Sequence, residues 1–195
     1  MLSKNIRILN SKYNYSPISN AISNKHAATK LAFQEYHIVP QVETSEESVE
    51  ISNNIQETLD EIIEKEFNVP LVKGDEGGIA LDVEDIFKPL NLLKQATEKL
   101  GYNDKVKYAL DVAASSFYNH DTGIYKFMNK DWTRDEMINL YEKICEEFPM
   151  ISIEDPLDEE DYSGFAMLQE RIGNVKIIGD DLTVTNATRL QKAID

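Results

Sequence analysis

The sequence predicts an α/β fold, and more narrowly part of a TIM-like (β/α) barrel with about half of the barrel strands. Apolar runs of strand length alternate with helical stripes from residue 25 onward, and several of these runs end in an acidic residue. Length is a third indication, because a complete barrel takes about 250 residues and this chain has 195. Repeated strand–helix units also predict parallel strands joined by right-handed crossovers.

The first part of the chain contains a segment with few secondary-structure signals, followed by the start of the barrel. Residues 1–24 show little periodicity, and YSPISNAI is their only stretch with strand character, so we treat 1–24 as a poorly specified N-terminal segment. The partial barrel domain is predicted over 25–195. Its first strand is predicted within LAFQEYHIVP at 31–40, where the final proline stops the strand.

Two amphipathic helices are predicted next. Residues 46–67 have apolar side chains at spacings of three and four. A second stripe begins near Ile86 and ends at Gly101, which is a typical helix C-cap residue. Pro89 lies inside this second stripe and therefore predicts either a kink or a late helix start.

The second half of the chain has a more regular rhythm. Thr133 and Glu136 form the T-x-x-E pattern of a capping box, which predicts that a helix opens there. The other predicted elements are strands at 106–113, 150–153 and 175–179, a helix over 161–172, and a helix that begins at Asn186.

The composition argues against several classes of protein. With 20 Lys and Arg against 35 Asp and Glu, the formal charge is −15, so the chain repels phosphate backbones and no nucleic-acid partner is expected. No stretch approaches the roughly 18 apolar residues of a membrane span, and the start lacks a signal-peptide pattern, so we expect a cytoplasmic protein with no membrane partner. The single cysteine, Cys145, excludes an internal disulfide and a cysteine-ligated zinc site.

Three predicted strands end in an acidic residue: Asp111, Glu154 and Asp180. The C-terminal ends of barrel strands converge on one face, so these three carboxylates can meet in space. Converging carboxylates repel one another, and a divalent cation relieves that repulsion. An all-oxygen set favours Mg²⁺ or Mn²⁺ over zinc. Alternatively, each acid is a helix N-cap or a solvated loop residue, but the repetition at one structural position favours a metal site.

The glycine-rich segment VKGDEGGIAL contains a second candidate. Glu76 lies between Gly74 and the glycine pair 77–78, which lets the backbone turn sharply and hold a side chain over a cleft. Taken alone, the segment is equally compatible with an ordinary loop. Gln34 and Glu35 fall late in a predicted strand, where a buried acid needs a partner or a function.

The remaining residues do not indicate a cofactor site. His37 and His120 have no companion at ligand spacing, so we interpret them as ordinary polar residues. Tyr125 and Phe127 are interpreted as core aromatics. The glycine-rich segment also lacks the elements of a phosphate-binding loop.

Several blocks of the chain, taken in order, resemble the enolase family, whose members interconvert 2-phosphoglycerate and phosphoenolpyruvate. The blocks are HAATKLAFQEYHIVP (26–40), GDEGG (74–78), LDVAASSFY (110–118), and SIEDPLDEEDY (152–162) with IIGDDLTVTNATRLQKAI (177–194). The resemblance extends over about 25–195. It implies the barrel of the enolase C-terminal domain and a Mg²⁺-dependent carbon–oxygen lyase of glycolysis, phosphopyruvate hydratase.

The resemblance also implies a role for each candidate residue. Asp111, Glu154 and Asp180 would bind Mg²⁺, which is the set that the strand ends predict. Glu76 would be the catalytic acid that helps to expel the hydroxyl group, assisted by Glu35. Removing a proton beside a carboxylate builds negative charge that Mg²⁺ stabilises, and the enolase superfamily is the known example of this use of Mg²⁺. The substrate-binding residues implied are His26, Gln34, Glu35, Glu154 and Asp180.

The matching blocks cover only part of an enolase. The family's general-base lysine is expected one βα unit beyond the strand that ends at Asp180, and therefore past Asp195, so we expect very low activity from these residues alone. The resemblance implies 2-phosphoglycerate and phosphoenolpyruvate as ligands, and it suggests a homodimer because most family enolases dimerise. An alternative hypothesis is a truncated, catalytically inactive enolase-like protein that serves as a binding or interaction module.

Overall fold

The computed structural model describes residues 18–24, 28–68, 70–74 and 77–194. These residues form a main sheet, a small second sheet and six helices that pack against them. The main-sheet strands are β1 (Ser19–Ser23), β2 (Glu35–Pro40), β3 (Ile79–Ala80), β4 (Val106–Asp111), β8 (Met150–Glu154) and β9 (Lys176–Ile178). The second sheet contains β5 (Tyr118–Asn119), β6 (Ile124–Phe127) and β7 (Lys130–Trp132).

The strands of the main sheet lie in the order β3-β1-β2-β4-β8-β9. Strands β4, β8 and β9 are parallel, as predicted. The prediction is wrong for β2, which pairs antiparallel with both β1 and β4. Within the described residues the sheet is open, with β3 and β9 at its edges, so the α/β prediction and the partial barrel are confirmed.

The antiparallel pairs follow from the connections between the strands. No helix lies between β1 and β2 in the part of that connection that the structure describes, and a connection without a crossover element cannot return the chain to start a parallel strand. Two helices lie between β2 and β4. One helix carries the chain back along the sheet, but a second carries it forward again, so the next strand runs in the opposite direction.

The helices agree closely with the sequence pattern. They are α1 (Ser45–Phe67), α2 (Phe87–Leu100), α3 (Arg134–Glu147), α4 (Tyr162–Ile172), α5 (Asp180–Thr183) and α6 (Ala187–Ile194). Helix α2 starts late, so that Pro89 falls in its first turn, and it ends at Gly101 with a left-handed φ of 69°. The capping box of Thr133 and Glu136 is formed at the start of α3. Asn186 accepts hydrogen bonds from the first turn of α6.

The core lies between the main sheet and its helices and continues under the second sheet. Phe33, Tyr36 and Tyr141 are fully buried, and Phe33 contacts both tyrosine rings. Tyr125 and Phe127 of β6 are also buried, as predicted. Among the described residues, no helix has the length and apolar character needed to cross a bilayer.

Candidate metal centre

One row of side chains crosses the main sheet at the carboxyl ends of β4 and β8. Glu35 pairs with Asp111, and Asp111 pairs with Glu154. Paired residues on neighbouring strands point to the same face of a sheet. Three acidic side chains from three adjacent strands therefore lie side by side, although β2 runs in the opposite direction to the other two strands.

The tightest group of carboxylates contains Asp111, Glu154 and Asp155, each of which offers an oxygen within 4.8 Å of the others. Asp180 lies outside this group. It is the first residue of α5 and is exposed, and its negative charge is close enough to raise the pKa of Glu154. The structure thus brings two of the predicted metal ligands together with a neighbour that was not predicted, and Asp180 as a ligand stays a prediction.

Asp155 is held in an unusual backbone position directly after β8. Its φ is 42°, in the left-handed region that non-glycine residues rarely adopt. Its N–H donates to the carbonyl of Ile178 and its own carbonyl accepts from Ala114, both at 3.0 Å. Oδ2 accepts the backbone N–H of Asp181 at 3.0 Å, whereas Oδ1 is buried and has no hydrogen-bond partner among the described residues. Asp155 therefore connects the end of β8 to the start of α5.

The environment of these acids disfavours their charged forms. Burial, followed by repulsion from Glu154 and Glu35, raises the pKa of Asp111 to about 8. Burial is also the main reason why the pKa of Asp155 rises to about 6. The pKa of Glu154 is raised by burial and then by the charge of Asp180. A group of acids that resists ionisation in this way is a site where a bound cation would be strongly stabilised.

Polar side chains from β1, from β2 and from the residue before β2 contact this row. Gln34 Nε2 donates to Asp111 Oδ2 at 3.1 Å. Glu35 is buried, and its Oε1 accepts from Asn20 Nδ2 at 2.6 Å. Its Oε2 accepts from His37 Nε2 at 2.7 Å. The structure therefore places both Gln34 and Glu35 beside the cluster of carboxylates that contains Asp111.

Sequence reasoning missed Asn20 and His37. Side chains alternate along a strand, so His37 lies on the same face as Glu35, which comes two residues before it. The sequence therefore contains a signal for their contact. The position of Asn20 was not available, because it depends on the register of β1 against β2, in which Asn20 pairs with His37.

Two other predicted site residues, His26 and Glu76, lie outside the described residues. The glycines that flank Glu76 are described in part. Gly77 has a φ of 90°, and Gly74 and Gly78 are joined by a 2.7 Å backbone hydrogen bond, so these described glycines lie close together. At Gly78 a Cβ atom would lie 2.5 Å from Asn20 Oδ1, so only glycine fits there without displacing the side chain of Asn20.

Comparisons with known proteins point to a single family. Residues 15–195 match the family model described as "Enolase, C-terminal TIM barrel domain". The chain is 44% identical to the enolase of Methanococcus aeolicus over 183 residues, and 42% identical to the enolase of Methanopyrus kandleri over 185 residues. Each match covers 92% of this chain and 43% of the relative. The chain therefore spans less than half the length of the curated relatives it matches.

Proposed function

The chain belongs to the enolase family, and from this premise we propose that it contributes the metal-binding part of a Mg²⁺-dependent lyase that dehydrates 2-phosphoglycerate to phosphoenolpyruvate. The observation that supports this proposal best is the convergence of Asp111, Glu154 and Asp155 within 4.8 Å. By the same resemblance we propose that the reaction belongs to glycolysis, and the sequence-based expectation of a cytoplasmic protein is kept as part of the proposal. A homodimer is part of the proposal and has no support from the geometry of the described residues.

The donor set fits a hard divalent cation. All the candidate ligands are carboxylate oxygens, which Mg²⁺ prefers over the nitrogen and sulfur ligands that zinc takes. Oδ1 of Asp155 is buried without a hydrogen-bond donor among the described residues. An uncompensated buried carboxylate oxygen is costly unless a cation lies beside it.

We assign two metal ligands from the residues that the two lines of argument share, and a third from the resemblance alone. Asp111 and Glu154 belong both to the geometric group and to the set that the resemblance implies. The third ligand is proposed to be Asp180, while Asp155 fixes the start of α5 through its Oδ2 bond to Asp181 and adds a carboxylate beside the cation. When bound, Mg²⁺ would stabilise the negative charge that develops on the substrate carboxylate.

The other site residues act on the substrate in this proposal. Glu76 would protonate the departing hydroxyl group, and Glu35 would assist it from the neighbouring position in the row. His26 and Gln34 would line the substrate pocket. Gln34 also donates to Asp111, so it holds a metal ligand in place while it faces the substrate.

The proposal is tested by calorimetric titration of the 195-residue protein with Mg²⁺. We expect saturable binding that Asp111→Asn or Asp180→Asn weakens by at least about tenfold, because each removes one charged oxygen ligand. Asp155→Asn should weaken binding less. Asp131→Asn is the matched control, since this acid of β7 is 70% exposed, and Glu76→Gln should leave Mg²⁺ binding in place.

A second titration separates the two hypotheses for the chain. If phosphoenolpyruvate binds only after Mg²⁺ is added, the lyase assignment is supported. Mg²⁺ binding with no affinity for phosphoenolpyruvate would favour the alternative, an inactive enolase-like binding module. A protein that takes up no Mg²⁺, or one in which Asp155→Asn has a larger effect than Asp180→Asn, would show that the proposed ligand set is wrong.

A further inference from the structure

Glu35 is held from two sides by a cross-strand pair. Asn20 on β1 lies directly opposite His37 on β2. Asn20 Nδ2 lies 2.6 Å from Oε1 of Glu35, and His37 Nε2 lies 2.7 Å from Oε2. Each carboxylate oxygen thus accepts a hydrogen bond from a different strand. Both Glu35 and His37 are buried, so these bonds form where water does not compete well.

The same carboxylate lies next to the metal centre in the sheet. Glu35 pairs with Asp111 across β2 and β4, and its negative charge raises the pKa of both Asp111 and Glu154. A carboxylate at this position is well placed to become another metal ligand. Yet Glu35 does not belong to the group of oxygens that lie within 4.8 Å of one another.

We propose that Asn20 and His37 are positioning residues that hold the carboxylate of Glu35 away from the metal centre. The inference rests on the proposed function, because it requires that Asp111 and Glu154 bind a divalent cation. The pair determines how many carboxylates reach the metal. With both hydrogen bonds formed, Glu35 would not ligate the cation, which would then have coordination positions left for substrate oxygens.

The glycine-rich turn supports this arrangement. Gly78 leaves the space that the side chain of Asn20 occupies, since a Cβ there would lie 2.5 Å from Oδ1 and 2.9 Å from Cγ. Asn20 is therefore confined between the backbone of Gly78 on one side and the carboxylate of Glu35 on the other. Its amide cannot rotate freely away from Glu35, which makes it a fixed donor.

Release of Glu35 has a consequence that loss of structure alone does not produce. Without these two hydrogen bonds, the carboxylate beside Asp111 is expected to become a fourth acidic ligand, and an added ligand charge raises divalent-cation affinity. Ca²⁺ should gain more than Mg²⁺, because Ca²⁺ accepts six to eight oxygens in flexible geometry while Mg²⁺ requires a near-ideal octahedron. A merely structural role for the pair predicts weaker binding of both cations.

The test compares cation affinities by calorimetry in the 195-residue protein. Asn20→Ala combined with His37→Leu should raise the Ca²⁺ affinity by about fivefold or more and increase the Ca²⁺/Mg²⁺ affinity ratio. In a Glu35→Gln background the same double substitution should change neither affinity. His37→Gln keeps an N–H donor, so it should restore the wild-type ratio where His37→Leu alone alters it.

Circular dichroism establishes whether each variant is folded. If the double variant does not fold, the comparison of His37→Leu with His37→Gln tests the same prediction. Unchanged or weaker Ca²⁺ binding in a folded His37→Leu protein overturns the inference and leaves the proposed function intact. A wild-type protein that binds no divalent cation overturns both.

Discussion

The centre of the main sheet and its β9 edge share one sequence pattern, an apolar strand followed by an acidic residue, but they differ in how deeply that pattern is buried. Asp111 and Glu154 end strands that have a hydrogen-bonded neighbour on each side, whereas Asp180 follows the edge strand of the described sheet. Strand β8 has a buried interior, with Ile153 fully buried. In β9 two of three residues are exposed, including Ile178.

The helices repeat this contrast. Helix α3, which precedes the central strand β8, buries Tyr141 and Ile144, while α6 buries none of its residues. Burial is what raises the pKa of Asp111, and burial needs a neighbour on both sides of a strand. An acid at the end of an apolar strand therefore has a raised pKa only where the surrounding strands and helices bury it.

The largest expected difference between the two regions is in stability. Ile153→Ala should lower the free energy of unfolding by about 3 kcal/mol, because it removes apolar atoms from a fully buried position and leaves a cavity. Ile178→Ala, the same change at an exposed position on β9, should cost less than about 1 kcal/mol. Urea denaturation measures both values. A loss at Ile178 as large as that at Ile153 would mean that the edge strand is as well packed as the centre.

The next expected difference is in the response to pH of the metal-free protein. The pKa of Asp111 is about 8 in the folded state against an ordinary value of 3.8. The folded protein therefore keeps a proton that the unfolded chain releases, so the stability of the fold falls as the pH rises from about 4 to about 8.

Asp111→Asn should remove the part of this dependence that Asp111 contributes, while Asp155 and Glu154, whose pKa values are also raised, retain theirs. With the metal chelated, the variant should gain about 2 kcal/mol over the wild type at pH 8, less than the full pKa shift implies because Asp111 is partly exposed. At pH 4 the two proteins should be equally stable. Asp180→Asn at the exposed edge should have the smaller effect, and thermal unfolding at both pH values in EDTA checks this. Equal effects of the two substitutions would contradict the difference in burial.

Much of the fold was predictable because local chemistry decides it. The apolar spacing defined α1, the T-x-x-E pattern defined the start of α3, and Gly101 defined the end of α2. Strand direction was not predictable in the same way. Parallel order was expected throughout, but β2 is antiparallel because its direction depends on the number of helices in the following connection.

The site shows the same division. Asp111 and Glu154 could be predicted together, since both end parallel strands and meet in register. Asp155 could not, because its place in the group depends on a left-handed backbone turn. The sequence predicts an ordinary polar role for His37, although strand alternation already places it on the same face as Glu35, with which the structure pairs it. Contacts set by cross-strand register and by backbone turns are not encoded in the spacing of residues along one strand.

The smallest expected difference between centre and edge concerns helix caps. Thr133 Oγ1 accepts from the N–H of Glu136 at the start of α3, and Asn186 Oδ1 accepts from Thr188 at the start of α6. Thr133→Ala should lower the free energy of unfolding by about 1 kcal/mol, because α3 unfolds with the buried core.

The matching substitution at the edge, Asn186→Ala, should leave global unfolding in urea nearly unchanged. Helix α6 has no buried residue, so it can open without disturbing the centre, and the loss of its cap should appear as faster amide hydrogen exchange within 187–194. If Asn186→Ala instead lowers global stability as much as Thr133→Ala, α6 unfolds cooperatively with the core. In that case the edge helix is stabilised by its polar contacts, such as those of Arg189 with Glu160, in place of buried apolar surface.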